Sequence, residues 1–197
     1  DTGPHVLVVG AGGGEEILQL ADGHPNWKFT GLDPNENMIN VGKERIHEQG
    51  LTNEITWVQV PIADLETSGF HGATCLLTAH FVPEDGRQQF YADIHRRLRP
   101  GAPLVLVSAS YDRNGNPDGA TPFDRLTAED LFNYNLHFEH ALLNGMSQDH
   151  ISNARLQTID KPMISEARDI ELLQAAGFGR VHRFFHLGML KGWVAYA

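Results

Sequence analysis

A single cysteine, Cys75, stands in the chain, inside the apolar run ATCLLTA, so no disulfide can close within it and a reducing, cytosolic setting is expected. Basic residues are also scarce, with 15 Lys and Arg against 25 Asp and Glu, for a net charge of -10. That balance argues against double-stranded nucleic acid as a partner, because such affinity comes largely from cations that neutralise phosphates. Arg96, Arg97 and Arg99 form the local exception. No apolar stretch has the length of a membrane span and no signal peptide is evident, so no membrane partner is expected. Repeats and low-complexity tracts are lacking too. The chain opens almost directly on a strand and without methionine, so a segment is expected to precede Asp1.

With 197 residues, 41% of them hydrophobic, the chain suits one domain with a full core. Apolar strand-like runs alternate with helical periodicity, the pattern of an α/β domain with a parallel sheet. Strands are predicted at 5–9, WKFTGLD, ITWVQV, ATCLLTA and PLVLVSAS, and helices at about 14–22, 36–49 and 84–98, the last with Phe90, Ile94 and Leu98 on one face. Residues 111 to about 125 read as a polar loop, and Thr127 to Asp130 as a capping box. Residues 127–160 then form one or two helices with no strand between them, a helical cap of about 111–165 inserted after the fifth strand. A further helix starts at the N-cap Ser165 and ends with Gly177 at C′. The closing residues form a hairpin whose strands are separated by Gly188 to Gly192.

The stretch HVLVVGAGGGEEILQLA places four glycines in five positions between the first strand and helix. Such a bend lets polar ligand groups approach backbone N–H groups at a helix N-terminus. A dinucleotide fingerprint needs glycine at its sixth position, and Glu15 stands there, which opposes a nicotinamide dehydrogenase. Gly10, Ala11, Gly12, Gly13 and Gly14 instead make a G-x-G-x-G bend suited to a nucleoside with a charged tail; a tight strand-to-helix turn without ligand is the plainer reading. Strand 2 ends at Asp33, where a carboxylate can accept both ribose hydroxyls. After strand 3, Asp64 can accept from an adenine amino group while Met38, Ile62 and Leu65 pack the ring.

These segments, with FTGLDPNENMI, VPIADL and LTAHFVPEDGRQQFYADIHRRLRPGAPLVLVS, resemble the class I S-adenosylmethionine-dependent methyltransferases over nearly the whole chain. The resemblance implies a Rossmann-like, doubly wound, mostly parallel seven-stranded sheet with an antiparallel C-terminal strand. It implies S-adenosylmethionine as cofactor and S-adenosylhomocysteine as product. Gly10, Gly12 and Gly14 would lie at the methionine part, Asp33 at the ribose, Met38, Ala63 and Asp64 at the adenine, and Thr78 to His80 near the sulfonium, with Ala11, Pro34 and Leu65 also in the expected cofactor-binding set. The family often has an acid two residues before the first glycine, where this chain has Val8. The second half, including NGMSQDHISNARLQTIDKPMISEARDIELLQAAGFGRVHRFFHLG, also resembles the carboxy-S-adenosylmethionine synthases of the tRNA wobble-uridine pathway. There a cap arginine holds the extra carboxylate of carboxy-S-adenosylmethionine, and Arg155 matches it. The plainer reading pairs Arg155 with Asp149 or Glu139 on a solvated helix face.

Methyl transfer from a good leaving group depends mostly on positioning, and a base is needed only where the acceptor loses a proton. His80, Tyr111 and Asp112 at the mouth, with His137, His140 and His150 in the cap, are the candidate bases. His137 and His140 have tolerable ligand spacing, but no third partner beyond Glu139 stands out, and no metal is expected. Three functions remain open at this stage: methyl transfer to a small-molecule acceptor, carboxy-S-adenosylmethionine synthesis or use through Arg155, and a non-catalytic nucleoside-binding module. The apolar residues of LFNYNLHFEHALLNGM suit either a cover over the site or a homodimer face.

Overall fold

A computed structural model describes residues 3–110, 127–159 and 161–197, without the side chains of 130, 137 and 155–159. The polar loop beginning at 111, with Tyr111 and Asp112, lies outside the described residues. One seven-stranded sheet runs through the molecule in the order β3-β2-β1-β4-β5-β7-β6. Its strands are β1 (His5–Val9), β2 (Lys28–Leu32), β3 (Ile55–Val58), β4 (Gly72–Leu76), β5 (Pro103–Ala109), β6 (Arg180–Leu187) and β7 (Leu190–Tyr196). β1 to β5 are parallel, and β7 runs antiparallel between β5 and β6. The chain winds outward from β1 to β3 and then returns to β4 on the other side of β1. That reversal opens a crevice at the carboxyl ends of β1 and β4.

Helices cover both faces. On one, α1 (Glu15–Gly23) and α2 (Glu36–Glu48) bury Ile17, Ala21 and Ile46 against Val6, Val8 and Phe29. On the other, α3 (Glu84–His95) and α6 (Glu166–Ala175) bury Tyr91, Ile94, Leu172 and Leu173 against Leu104, Leu106 and Trp193. α4 (Ala128–Leu143) and α5 (Gln148–Ile159) follow β5 with no strand between them among the described residues. Tyr134, Phe138 and Ile151 of this pair form a separate small core with Ala109 and Met189, at the end of β5 and the β6–β7 turn. The predicted N-cap holds: Ser165 Oγ accepts from the Arg168 N–H at 3.2 Å, and Gly177 follows the helix with φ +111°.

Three boundaries differ from the sequence expectation. The fourth strand stops at Leu76, because Leu77 takes φ +55° and Ala79–Phe81 coil into a turn of 3₁₀ helix. The helix predicted to reach 98 stops at His95, since the Arg97 carbonyl is used by the N–H groups of Gly69 and Phe70, and Leu98 pairs with Phe70. In the closing hairpin the connection is Gly188 and Met189 alone. Gly188 supplies φ +58° for the turn, and Lys191 and Gly192, expected in the loop, pair with His186 and Phe185 in the ladder.

The helical layer on the α3 side is tied together by a buried charge network. The Arg87 guanidinium donates to Asp169 Oδ1 at 3.2 Å, with both side chains fully buried, and to the carbonyls of Val82 and Pro162 at 2.8 and 2.7 Å. The Tyr91 hydroxyl donates to the same Asp169 oxygen at 2.7 Å. Burial pushes the Asp169 carboxyl up and Arg87 opposes that push. Removing one partner of a buried pair strands the other charge. Arg87→Leu is therefore expected to lower unfolding free energy by about 3–5 kcal/mol in urea titration, and a change below about 1 kcal/mol would show that the pair carries no such role.

Candidate active site

The glycine bend forms where β1 runs out beside β2. The N–H groups of Gly10 and Ala11 both donate to the Leu32 carbonyl, at 2.8 and 2.9 Å, and the Gly14 N–H closes back on Ala11. Gly10 has φ +73°, a conformation that L side chains rarely adopt. A Cβ there would also lie 2.1 Å from Thr78 Oγ1, so the missing side chain lets the end of β4 close against the bend. Thr78 Oγ1 itself donates to the Leu76 carbonyl at 3.1 Å.

Asp33 joins this bend to the next helix. Its Oδ2 accepts from the Gly12 N–H at 2.9 Å and its Oδ1 from the Asn35 N–H at 2.8 Å. Asn35 in turn caps α2 through its side-chain oxygen, which accepts from Asn37 and Met38. Pro34 is exposed between these two residues. Met38, on the first turn of α2, is 39% exposed and lays its methyl 3.7 Å from where a Cβ would stand on Gly12 or Gly13.

Beyond β3, Ala63 and Asp64 sit exposed on a 3₁₀ turn, Ile62–Asp64. Arg97, almost fully buried, pins that turn from behind by donating to the carbonyls of Ala63 and Leu65. The side chains of Ile62 and Leu65 are buried in the main core, and Leu65 contributes a carbonyl to Arg97. A cavity of about 500 Å³ opens behind the turn, lined by Ala63 to Glu66, Ser68, Arg96 and Arg97; none of the glycine-bend residues reaches it.

On the β4 side, His80 is 4% exposed, and its Nδ1 accepts from the Ala109 N–H at 3.3 Å. Burial, then the cations Lys161 and Arg87, pull its pKa down to about 4. The ring is therefore neutral at neutral pH, and with Nδ1 accepting, its proton sits on Nε2. His80 is thus a hydrogen-bond donor through Nε2 and not a ready base. Leu77 and Phe81, 49% and 59% exposed, present apolar surface beside it, and the Lys161 ammonium stands 4.5 Å over the Phe81 ring.

Gly10, Ala11, Gly12, Gly14, Asp33, Pro34, Met38, Ala63, Asp64, Thr78 and His80 thus come from the carboxyl ends of four adjacent strands. Tyr111 lies outside the described residues, and Arg155 stands on α5 with its side chain outside them. His140 on α4 bonds to Asn144 just past the end of that helix, and His150 is exposed on α5. No group of three His, Cys, Asp or Glu side chains among the described residues lies close enough to hold a metal. Sequence reasoning missed Lys161, which the chain delivers to Phe81 from eighty positions away.

A family model described as a methyltransferase domain matches residues 6–101, the segment that carries the glycine bend, Asp33, Asp64 and His80. The ubiquinone biosynthesis O-methyltransferase of Coxiella burnetii is 28% identical over 130 residues, 59% of this chain and 54% of that protein. The chain thus spans about half the length of that relative. The demethylmenaquinone methyltransferase of Listeria monocytogenes is 26% identical over 194 residues, 94% of this chain and 74% of that one. In fold, the chain matches the phosphoethanolamine N-methyltransferase 2 of Haemonchus contortus, solved with S-adenosyl-L-methionine, with a TM-score of 0.63 at 16% identity over 93% of this chain and 35% of that one. Among the described residues no helix is long and apolar enough to cross a membrane. With the methyltransferase-domain match falling on the strands that build the crevice, and the sheet order and relatives agreeing with it, the chain is similar to the class I S-adenosylmethionine-dependent methyltransferases.

Proposed function

We propose that this chain binds S-adenosylmethionine along the carboxyl ends of β3, β2 and β1 and transfers its methyl group to an oxygen of a small, largely apolar acceptor, leaving S-adenosylhomocysteine. Asp33 carries the reading. Each of its oxygens gives one lone pair to a backbone N–H, which fixes the carboxylate and leaves further acceptor capacity for the two hydroxyls of a ribose. The bend beside it presents no side chains, so a ligand can approach its backbone. Met38 and Ala63 flank the place for the adenine, and Asp64 accepts from its amino group.

The cofactor, when bound, supplies a methyl group already attached to a good leaving group. The protein's share is positioning and exclusion of water. Leu77 and Phe81 offer an apolar wall at the mouth, and the acceptor oxygen is suggested by the O-methyltransferase name of the Coxiella relative. His80 orients by donation from Nε2 and takes no proton. The carboxylate-holding role for Arg155 rests on resemblance alone.

Calorimetric titration with S-adenosylmethionine and S-adenosylhomocysteine tests the cofactor. Asp33→Ala is expected to weaken both by about tenfold or more, since a charge-assisted bidentate contact is lost. Unchanged affinity in that variant would remove the ribose assignment. For the reaction, radiolabelled methyl transfer to a panel of phenols and quinols should give a kcat profile with no ionisation near pH 6.5 belonging to His80. A step at that pH that vanishes in His80→Asn would make His80 the base after all.

A further inference from the structure

At the carboxyl end of β4 the backbone turns through Leu77, whose φ of +55° is a conformation that L side chains rarely adopt. Such strain persists where the surrounding structure holds it, commonly beside binding and active sites. The turn leaves Leu77 and Phe81 exposed on either side of Thr78 and the buried His80. Over the Phe81 ring stands the Lys161 ammonium, at 4.5 Å.

Among the described residues no carboxylate pairs with that ammonium. Acids outnumber Lys and Arg by 25 to 15 in the chain, and cations of the neighbouring elements do pair with them: Arg87 of α3 with Asp169, Arg168 of α6 with Glu84 and Glu171, and Arg183 of β6 with Glu166. Lys161 is partly buried, and burial lowers its pKa with no acid to oppose the change. A cation taken part-way out of water without a counter-charge is costly, and an aromatic face offsets only some of that cost. The charge also acts on His80, so it stands at the same mouth.

The kind of group that would satisfy Lys161 follows from the donors present. One ammonium, with the neutral His80 ring beside it, matches a single negative charge, whereas a phosphate dianion calls for several cations or a guanidinium fork. Beside that charge the wall is apolar and partly aromatic, which suits a flat aromatic body. We infer that Lys161 receives a carboxylate of the methyl acceptor, whose aromatic body lies against Leu77 and Phe81, so that the chain selects aromatic acids over their neutral counterparts. The assignment rests on the methyl-transfer reading above.

Its test is calorimetry on the full chain, with and without saturating S-adenosylhomocysteine, using 4-hydroxybenzoate and 4-hydroxycinnamate against 4-hydroxybenzyl alcohol and 4-hydroxycinnamyl alcohol. The wild type is expected to bind each acid about tenfold more tightly than its alcohol, a preference that shrinks as salt is raised. Lys161→Met keeps the length of the side chain and its contact with Phe81 but removes the charge. It should erase the preference while leaving the alcohols within about twofold, and Lys161→Arg should keep most of the preference. Retained alcohol binding shows that the variants are folded. A wild type that does not favour the acids would overturn the assignment, and so would a preference that survives in Lys161→Met or an equal loss of acid and alcohol. A chain that keeps a Lys161-dependent preference but ignores S-adenosylhomocysteine would instead overturn the cofactor reading and leave the anion site standing.

Discussion

The Asp33 carboxylate holds two turns of the chain at once, the glycine bend through Gly12 and the start of α2 through Asn35. Both turns are short of side chains that could fix them by packing, and both present backbone N–H groups that would otherwise face water. One acid at the end of β2 therefore sets the distance between α1 and α2 at the crevice. It also presets its own orientation, so a ribose bound there would meet a carboxylate already in place. A binding group whose rotamer is fixed beforehand loses less freedom on binding than a mobile one.

Further from the crevice the same economy is kept by buried cations that bond to backbone carbonyls. Arg97 reaches the carbonyls of Ala63 and Leu65 and fixes the turn after β3. Arg87 reaches those of Val82 and Pro162 and so ties the residues after β4 to the segment that follows α5. Each arginine sits behind a loop that lines the crevice and is itself absent from it. The loops are short irregular turns, and a planar guanidinium with several donors can hold such a turn where no ladder is available.

The sheet, its helices and the three strand ends that carry Gly10, Asp33 and Asp64 were legible in the sequence because each depends on a local signal. Apolar periodicity marks the strands, glycines mark the bend, and an acid directly after a strand marks a carboxyl end. Leu65 was read as packing the adenine from its position after strand 3, and what the sequence did not announce is that its side chain joins the core while its carbonyl accepts from Arg97. The hairpin turn was drawn too long for a related reason. Gly188 and Gly192 look alike in sequence, yet only the first has a positive φ, while the second lies in the ladder, where a Cβ would stand 3.0 Å from the Phe184 ring and from the Phe185 Cβ. Lys161 was invisible in the sequence, since its place is set by what the fold puts beside it.

The charges around the crevice divide by position. Asp33, Asp64 and Glu16 lie along the ends of β1 to β3 and the start of α1. Among the described residues, two cations act on His80: Arg87, saturated by Asp169 and carbonyls, and Lys161, set over the Phe81 ring. His80 stands between these groups, and its depressed pKa keeps it uncharged. A protonated imidazole there would repel a sulfonium, so the burial that silences His80 as a base also spares the proposed cofactor an adjacent positive charge. Methyl transfer discharges the sulfonium to a neutral thioether, which reduces its attraction to the acids around the crevice. In the proposed complex the attraction that disappears with the methyl group is therefore confined to the reacting end.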